Sequence, residues 1–366
     1  MFYGKDLPGI IDFGIGCRNK LPELLPEGNV LIVAGKHSFE RIEKELLVKL
    51  SSRQVAFAPP VSAELPLSSA AAAIACGREI RAKTVIGWGG GSAMDCAKTV
   101  AALLYAPEDL KEYFYQRAVP PERKTFLVLL PTTAGTGAEI TANAVLCDPE
   151  TGIKQSLRTP GMSADAALID PELLYDSPPE VISASGFDAL TQALESFTSL
   201  KADSLTRQIA SIAAELLLKN LLSAYNLDHT ALQSVARGSM LAGIAFASSG
   251  LGAVHGIGHP LGSVMNLSHG KACALLLPEI MKWNREYCPE IFDSLAQNLG
   301  FTSANELIYA VENLRKKLHL PEKISQSPLT PEKLDFIVAN CRSGSMKCNP
   351  RTLSDNDVRN IVENLL

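Results

Sequence analysis

Three of the chain's six histidines fall within residues 251–270, LGAVHGIGHPLGSVMNLSHG. If the first half of this stretch is helical, His255 and His259 sit four residues apart on one face, and Gly256 and Gly258 leave backbone room for a ligand. His269 then falls in a turn beside Gly270. Two imidazoles on one face plus a third from a nearby loop are a common way to hold a divalent metal, because neutral imidazole is the commonest protein ligand. The competing reading is three ordinary histidines packed around a glycine-rich helix. Clustering favours the metal, and such a site then needs a carboxylate or further imidazole from another segment.

Residues 186–195, GFDALTQALE, offer one: helical spacing brings Asp188, Gln192 and Glu195 near a common face. By spacing alone Asp188 is equally an early helix residue facing the macrodipole. Two other stretches suit phosphate. Gly87-Trp88-Gly89-Gly90-Gly91-Ser92 follows an apolar run and opens a helix containing Asp95 and Lys98, so backbone N–H groups and the helix dipole favour an anion there. The loop PTTAGTGAE at 131–139 puts three threonine hydroxyls and two glycines after another apolar run, which suits a sugar phosphate or a carboxamide better than packing. A lone glycine run is often just a tight turn, but two such loops at the carboxyl ends of parallel strands favour a nucleotide cleft.

These residues need a scaffold, and 366 residues are too many for one core, so two domains are expected. Across 29–175, brief apolar runs at 29–34, 55–58, 84–88 and 125–130 alternate with helical stretches at 38–50, 68–82 and 92–105. That alternation predicts a parallel sheet with helices on both faces. After Pro178-Pro179 the texture becomes helical, with Leu, Ile and Ala at three-to-four spacing over 180–199, 204–220 and 230–247. The expected organisation is an α/β nucleotide-binding domain over 1–177 and an all-α metal and substrate domain over 178–366.

A net charge of −5 without any Lys/Arg-rich block argues against a nucleic-acid partner. The N-terminal stretch lacks a basic leader region and no run of 18 apolar residues follows, so a cytoplasmic protein with no membrane partner is expected. The eight cysteines lack CxxC pairs and read as reduced and mostly structural.

GGGSAMDCAK at 89–98, PTTAGTGAE at 131–139, GFDALTQALE at 186–195 and VHGIGHPLG at 254–262 with His269-Gly270 together resemble, in order and spacing, the iron-containing alcohol dehydrogenase family. The resemblance covers nearly the whole chain. It implies an N-terminal dinucleotide domain, a C-terminal helical domain holding a divalent metal, a cleft between them, and a homodimer. Position by position it implies metal ligands at Asp188, Gln192, His255 and His269. It implies a histidine near the nicotinamide at His259, and dinucleotide contacts at Gly90, Gly91, Ser92, Thr132, Thr133, Thr136 and Lys154.

The chain departs from the family pattern in three places. Where the family has its second ligand, a histidine, this chain has Gln192, whose neutral amide oxygen binds iron or zinc less well than imidazole does. Glycerol dehydrogenases, which resemble zinc enzymes with one carboxylate and two histidines, make Zn2+ a competitor to Fe2+. Where NAD-using members carry a ribose-binding aspartate, this chain has Gly35-Lys36-His37-Ser38, which favours NADP over NAD. Residues 58–61, APPV, lack an asparagine-proline pair common in the family near the adenosine.

The implied reaction is reversible hydride transfer between NAD(P)(H) and a small alcohol or aldehyde, with the metal polarising the substrate oxygen and His259 relaying a proton. Small or neutral residues at 246–251, Asn143 and Met265 would suit a short, uncharged substrate. Two alternatives keep the fold: a metal-impaired binding protein marked by Gln192, and a lyase resembling dehydroquinate synthase, whose phosphate-binding basic residues are not evident here.

Overall fold

The computed structural model describes residues 6–62, 64–324 and 328–366. The first five residues, where the N-terminal reading begins, lie outside the described residues. The chain divides into two compact units. One holds the described residues up to Thr133 together with Gly137–Asp176, and the other holds Ala134–Thr136 and Ser177–Leu366.

The first unit runs β1 (Ile10–Phe13), α1 (Leu21–Leu24), β2 (Val30–Ala34), α2 (Phe39–Ile42), β3 (Val55–Phe57), α3 (Leu67–Glu79), β4 (Thr84–Gly89), α4 (Gly91–Leu103), α5 (Leu110–Phe114), β5 (Phe126–Pro131), β6 (Asn143–Asp148), β7 (Ile153–Arg158) and β8 (Ala166–Ile169). Six strands form one parallel sheet in the order β1-β8-β5-β4-β2-β3, while β6 and β7 form a separate antiparallel hairpin. β2 and β4 are buried along their whole length, as a sheet covered on both faces requires, so β2 reads as an unbroken apolar run and β4 as one interrupted only by Thr84 at its start.

The sheet order matters for the site. From β2 the chain moves outward to β3, then returns through α3 to β4 on the other side of β2. The strand order therefore reverses between β2 and β4, and open α/β sheets bind ligands at the carboxyl ends of strands at such a switch. Ala34 pairs with Trp88 there, so Gly35 and the loop Gly89-Gly90-Gly91 lie side by side. The helix expected over 38–50 is instead a succession of short turns of changing pitch, Lys36–Ser38, α2, Glu43–Leu47 and Val48–Leu50, with no side-chain cap at its start.

The second unit is helical: α6 (Pro179–Thr198), α7 (Ser204–Tyr225), α8 (His229–Ser249), α9 (Ala253–Met265), α10 (His269–Tyr287), α11 (Pro289–Asn298), α12 (Ala304–Lys317), α13 (Pro331–Asn340) and α14 (Asp355–Glu363). Pro179 opens α6 at a position where its missing N–H costs nothing. The Asp203 side chain caps α7 and the Asp228 side chain caps α8. α6 and α7 touch at Gly186, where a Cβ would lie 2.2 Å from Leu221 Cδ1. Among the described residues no single helix is long and apolar enough to cross a membrane, although α8 and α9, bent by 106°, pass together on length and composition.

Candidate metal centre

Asp188 comes from α6, His255 from the first turn of α9 and His269 from the start of α10. His269 is the first residue of α10, directly after Ser268, rather than part of a turn. Asn266, in the left-handed conformation with φ 52°, ends α9 and lets the chain reverse into α10. Gly270 then seats α10 on α6: a Cβ there would lie only 2.0 Å from the Ala184 carbonyl oxygen, so no other residue fits without moving a helix. This close approach brings His269 Nε2 to 3.6 Å from Asp188 Oδ1, while His255 Nε2 lies 3.2 Å from the same oxygen.

Glu195, two turns beyond Asp188 on α6, supports the site from behind. Its Oε2 lies 2.6 Å from His255 Nδ1, and its Oε1 accepts the Val254 N–H at 2.7 Å. Gly252 makes room, since a Cβ there would sit 2.7 Å from Glu195 Oε1. A carboxylate on the outer nitrogen of a ligating histidine fixes its tautomer and raises its basicity. Burial works to lower the His255 pKa, but Glu195 and Asp188 outweigh it and raise it to about 10. Burial likewise pushes the Asp188 carboxyl up, and His269 and His255 outweigh it, holding it below the usual carboxylate range. The pocket thus demands positive charge between its carboxylates, which a divalent ion supplies as well as a proton does.

The residues present fit such an ion. Asp188, His255, His269 and Cys273, one turn after His269 on α10, each offer a donor atom, and all four atoms lie within 4.8 Å of one another. Tetrahedral bonds of about 2.0–2.3 Å set neighbouring donors roughly 3.3–3.8 Å apart. The separations of 3.2 and 3.6 Å at Asp188 Oδ1 approach that edge before any ion draws the donors in. Gln192, one turn beyond Asp188, is buried, and its Oε1 has no hydrogen-bond partner among the described residues. Such an orphaned amide oxygen costs about 1–3 kcal/mol unless a cation or water satisfies it. The His259 ring stacks on that of His269 with centroids 4.6 Å apart. The sequence reading did not single out Cys273 among eight scattered cysteines, although its place four residues after His269 was the available signal.

In the first unit, Gly90 precedes α4 without any side-chain cap, leaving the first N–H groups of the helix to bind a ligand. Thr132 N–H donates to the Gly89 carbonyl at 2.9 Å, and a Cβ on Gly90 would lie 3.3 Å from Thr133 Oγ1, so Gly90, Gly91, Ser92, Thr132 and Thr133 gather at the switch point. Thr136 groups with the helical unit, where Gly135 is pressed against Ser185. Lys154 on β7 pairs with Glu64 at 2.6 Å. Asp95 and Lys98 of the same motif are structural: Lys98 Nζ pairs with Asp95 at 2.8 Å and donates to the Ala138 carbonyl at 2.9 Å, tying α4 to the loop after β5. Lys36 is exposed beside Gly35, and the His37 side chain lies outside the described residues. Asn143 donates to Ser156 across the hairpin, and Met265 is buried at the end of α9.

Comparison with known proteins identifies the family. The model of the iron-containing alcohol dehydrogenase family matches residues 8–171, and that of its C-terminal region matches 182–366. The chain is 33% identical over 314 residues to long-chain-alcohol dehydrogenase 1 of Geobacillus thermodenitrificans, covering 82% of this chain and 79% of the relative. It is 29% identical to an NADPH-dependent butanol dehydrogenase of Clostridium saccharobutylicum, covering 98% and 96%. Among solved structures, sulfoacetaldehyde reductase from Bifidobacterium kashiwanohense in complex with NAD+ superposes with a TM-score of 0.91 at 25% identity, covering 98% and 97%. With family models spanning both units and the four signature segments in place, the chain belongs to the iron-containing alcohol dehydrogenase family.

Proposed function

We propose that the protein is a metal-dependent alcohol dehydrogenase, working also as an aldehyde reductase, that moves hydride between NAD(P)(H) and a small alcohol or aldehyde. The observation that carries this reading is the convergence of Asp188 Oδ1, His255 Nε2 and His269 Nε2 from three different helices. The helical unit serves as the metal and substrate domain, and the α/β unit as the dinucleotide domain. Gly90, Gly91, Ser92, Thr132, Thr133, Thr136 and Lys154 are the dinucleotide residues of this reading. Asp188, His255 and His269 hold Fe2+ or Zn2+, with the Gln192 amide oxygen beside them.

The bound ion supplies Lewis-acid polarisation of the substrate oxygen. Asp188 contributes the buried negative charge that holds the ion, and Glu195 keeps His255 aimed at it. His259, stacked on His269, passes a proton between the substrate hydroxyl and water, as an imidazole can near neutral pH. NADP is favoured over NAD: Gly35 stands at the switch point without an acid to repel a 2′-phosphate, and Lys36 beside it is exposed. The NADPH-dependent butanol dehydrogenase among the relatives supports that preference, while the NAD+ complex of the reductase keeps NAD in view. The working form in this reading is a cytoplasmic homodimer. β1 ends the sheet with Ile10 exposed, an edge that a second copy can cover, and eight cysteines outside any disulfide suit a reducing compartment.

The test combines metal analysis with aldehyde-dependent NADPH oxidation. Wild type is expected to hold about one ion per chain, and His255→Ala to lose both ion and turnover while still binding NADPH. Full-rate aldehyde reduction by metal-free His255→Ala overturns the reading, and an ion-free, inactive wild type turns it to a binding protein.

A further inference from the structure

Resting on that metal-centre reading, we propose that Cys273 is itself a metal ligand, its thiolate occupying the coordination position that the family gives to an imidazole and that Gln192 vacates here. A buried cysteine in a helix ordinarily behaves as a small apolar side chain whose thiol donates to a backbone carbonyl of its own helix. Cys288 and Cys341, the residues directly after α10 and α13, donate back into those helices, to the Asn284 carbonyl at 3.1 Å and the Val338 carbonyl at 3.3 Å. Cys273 meets side chains of the metal set. Its Sγ lies 3.7 Å from Asp188 Oδ1 on α6 and 3.7 Å from His269 Nε2 on its own helix, two side-chain donors of the metal set.

The separations are those of a coordination shell. Tetrahedral zinc with oxygen or nitrogen at about 2.0–2.1 Å and sulfur at about 2.3 Å places neighbouring donors roughly 3.3–3.7 Å apart. Four of the donor separations are 3.2, 3.6, 3.7 and 3.7 Å. The helix makes the placement automatic, because His269 and Cys273 are four residues apart and share a face of α10. On binding, the thiol gives its proton to solvent and the thiolate joins Asp188 in balancing the ion's two charges. One carboxylate, two imidazoles and one thiolate form a softer set than the family's carboxylate with three imidazoles, and that set favours zinc over harder cations, the substrate oxygen entering as a fifth donor, since zinc can expand to five-coordinate. Gln192 then stays a neutral neighbour, not a required donor.

Cobalt(II) is the probe, added under argon to the full-length protein freed of metal with a chelator. Wild type is expected to show visible ligand-field bands together with a near-ultraviolet thiolate-to-cobalt charge-transfer band. Cys273→Ser is expected to lose the charge-transfer band, and Gln192→Leu to keep it. In parallel, alkylation with iodoacetamide followed by peptide mapping on wild type alone is expected to find Cys273 protected by cobalt at least roughly tenfold, with no such protection at the other cysteines; this readout stands even if the serine variant does not fold. Ligand-field bands without charge transfer, or alkylation of Cys273 that proceeds in the metal-free protein and continues at the same rate with cobalt, overturn the inference while leaving the metal centre intact. Failure of wild type to bind cobalt at all overturns the inference and the metal-centre reading together.

Discussion

Glu195 holds His255 and the backbone that carries it at the same time: Oε2 meets the ring Nδ1 at 2.6 Å while Oε1 accepts the Val254 N–H at 2.7 Å. One carboxylate on α6 therefore fixes both the start of α9 and the direction of the imidazole it presents. A second contact of α6 with the site, Ala184 against Gly270, fixes the start of α10 in the same way.

Glu195→Gln keeps the shape of this clamp and removes its charge. Metal affinity is expected to fall by about 10–100-fold, as losses of such supporting carboxylates do, with NADPH binding unchanged. Competition with a chromophoric chelator measures it, and wild-type affinity in the variant would place the orienting role elsewhere.

Gly35 has φ −76° and a Cβ built on it meets nothing within 4 Å, so neither backbone nor packing demands glycine at the end of β2. Gly35→Asp is expected to fold normally and to shift the ratio of kcat/KM values from NADPH towards NADH by roughly tenfold or more, about 1.4 kcal/mol. A ratio that does not move means the 2′-phosphate lies away from this strand end.

Glu139, at the end of the PTTAGTGAE loop, is 4% exposed, and burial pushes its carboxyl up to about 7 against the opposing pull of Lys98. Because the folded state holds this proton more tightly than the unfolded chain, the associated stability is complete below the ordinary glutamate range and is lost as pH rises through about 7. Relative to Glu139→Gln, wild type should therefore weaken by on the order of 3 kcal/mol between pH 4.5 and 7.5. Urea midpoints of the two proteins at both ends of that window measure the difference. A gap that stays constant with pH would mean that Glu139 is ionised throughout.

The fold class was legible in the sequence because buried parallel strands must be unbroken apolar runs, as in VLIVA of β2, and because amphipathic helices such as α6 and α8 carry their own spacing and prolines or caps. Their boundaries moved by a few residues, α7 running on to Tyr225 where periodicity ended at 220. β1, β8 and the β6-β7 hairpin stayed hidden: β1 and β8 are only four residues long, and the hairpin mixes polar and apolar positions. In the site, the sequence by itself determined which donors exist and that His255 and His259 share a face, since that relation follows from helical spacing, whereas it placed His269 in a turn and so hid its pairing with Cys273 one turn along α10. Only the tertiary structure decided that Asp188, 67 residues before His255, meets it at 3.2 Å, that Glu195 stands behind the ring, and that Cys273 rather than another cysteine faces the donors. The reason is that spacing along a helix is local geometry, whereas distance between helices is set by where their backbones can touch, here at Gly270 against Ala184 and Gly186 against Leu221.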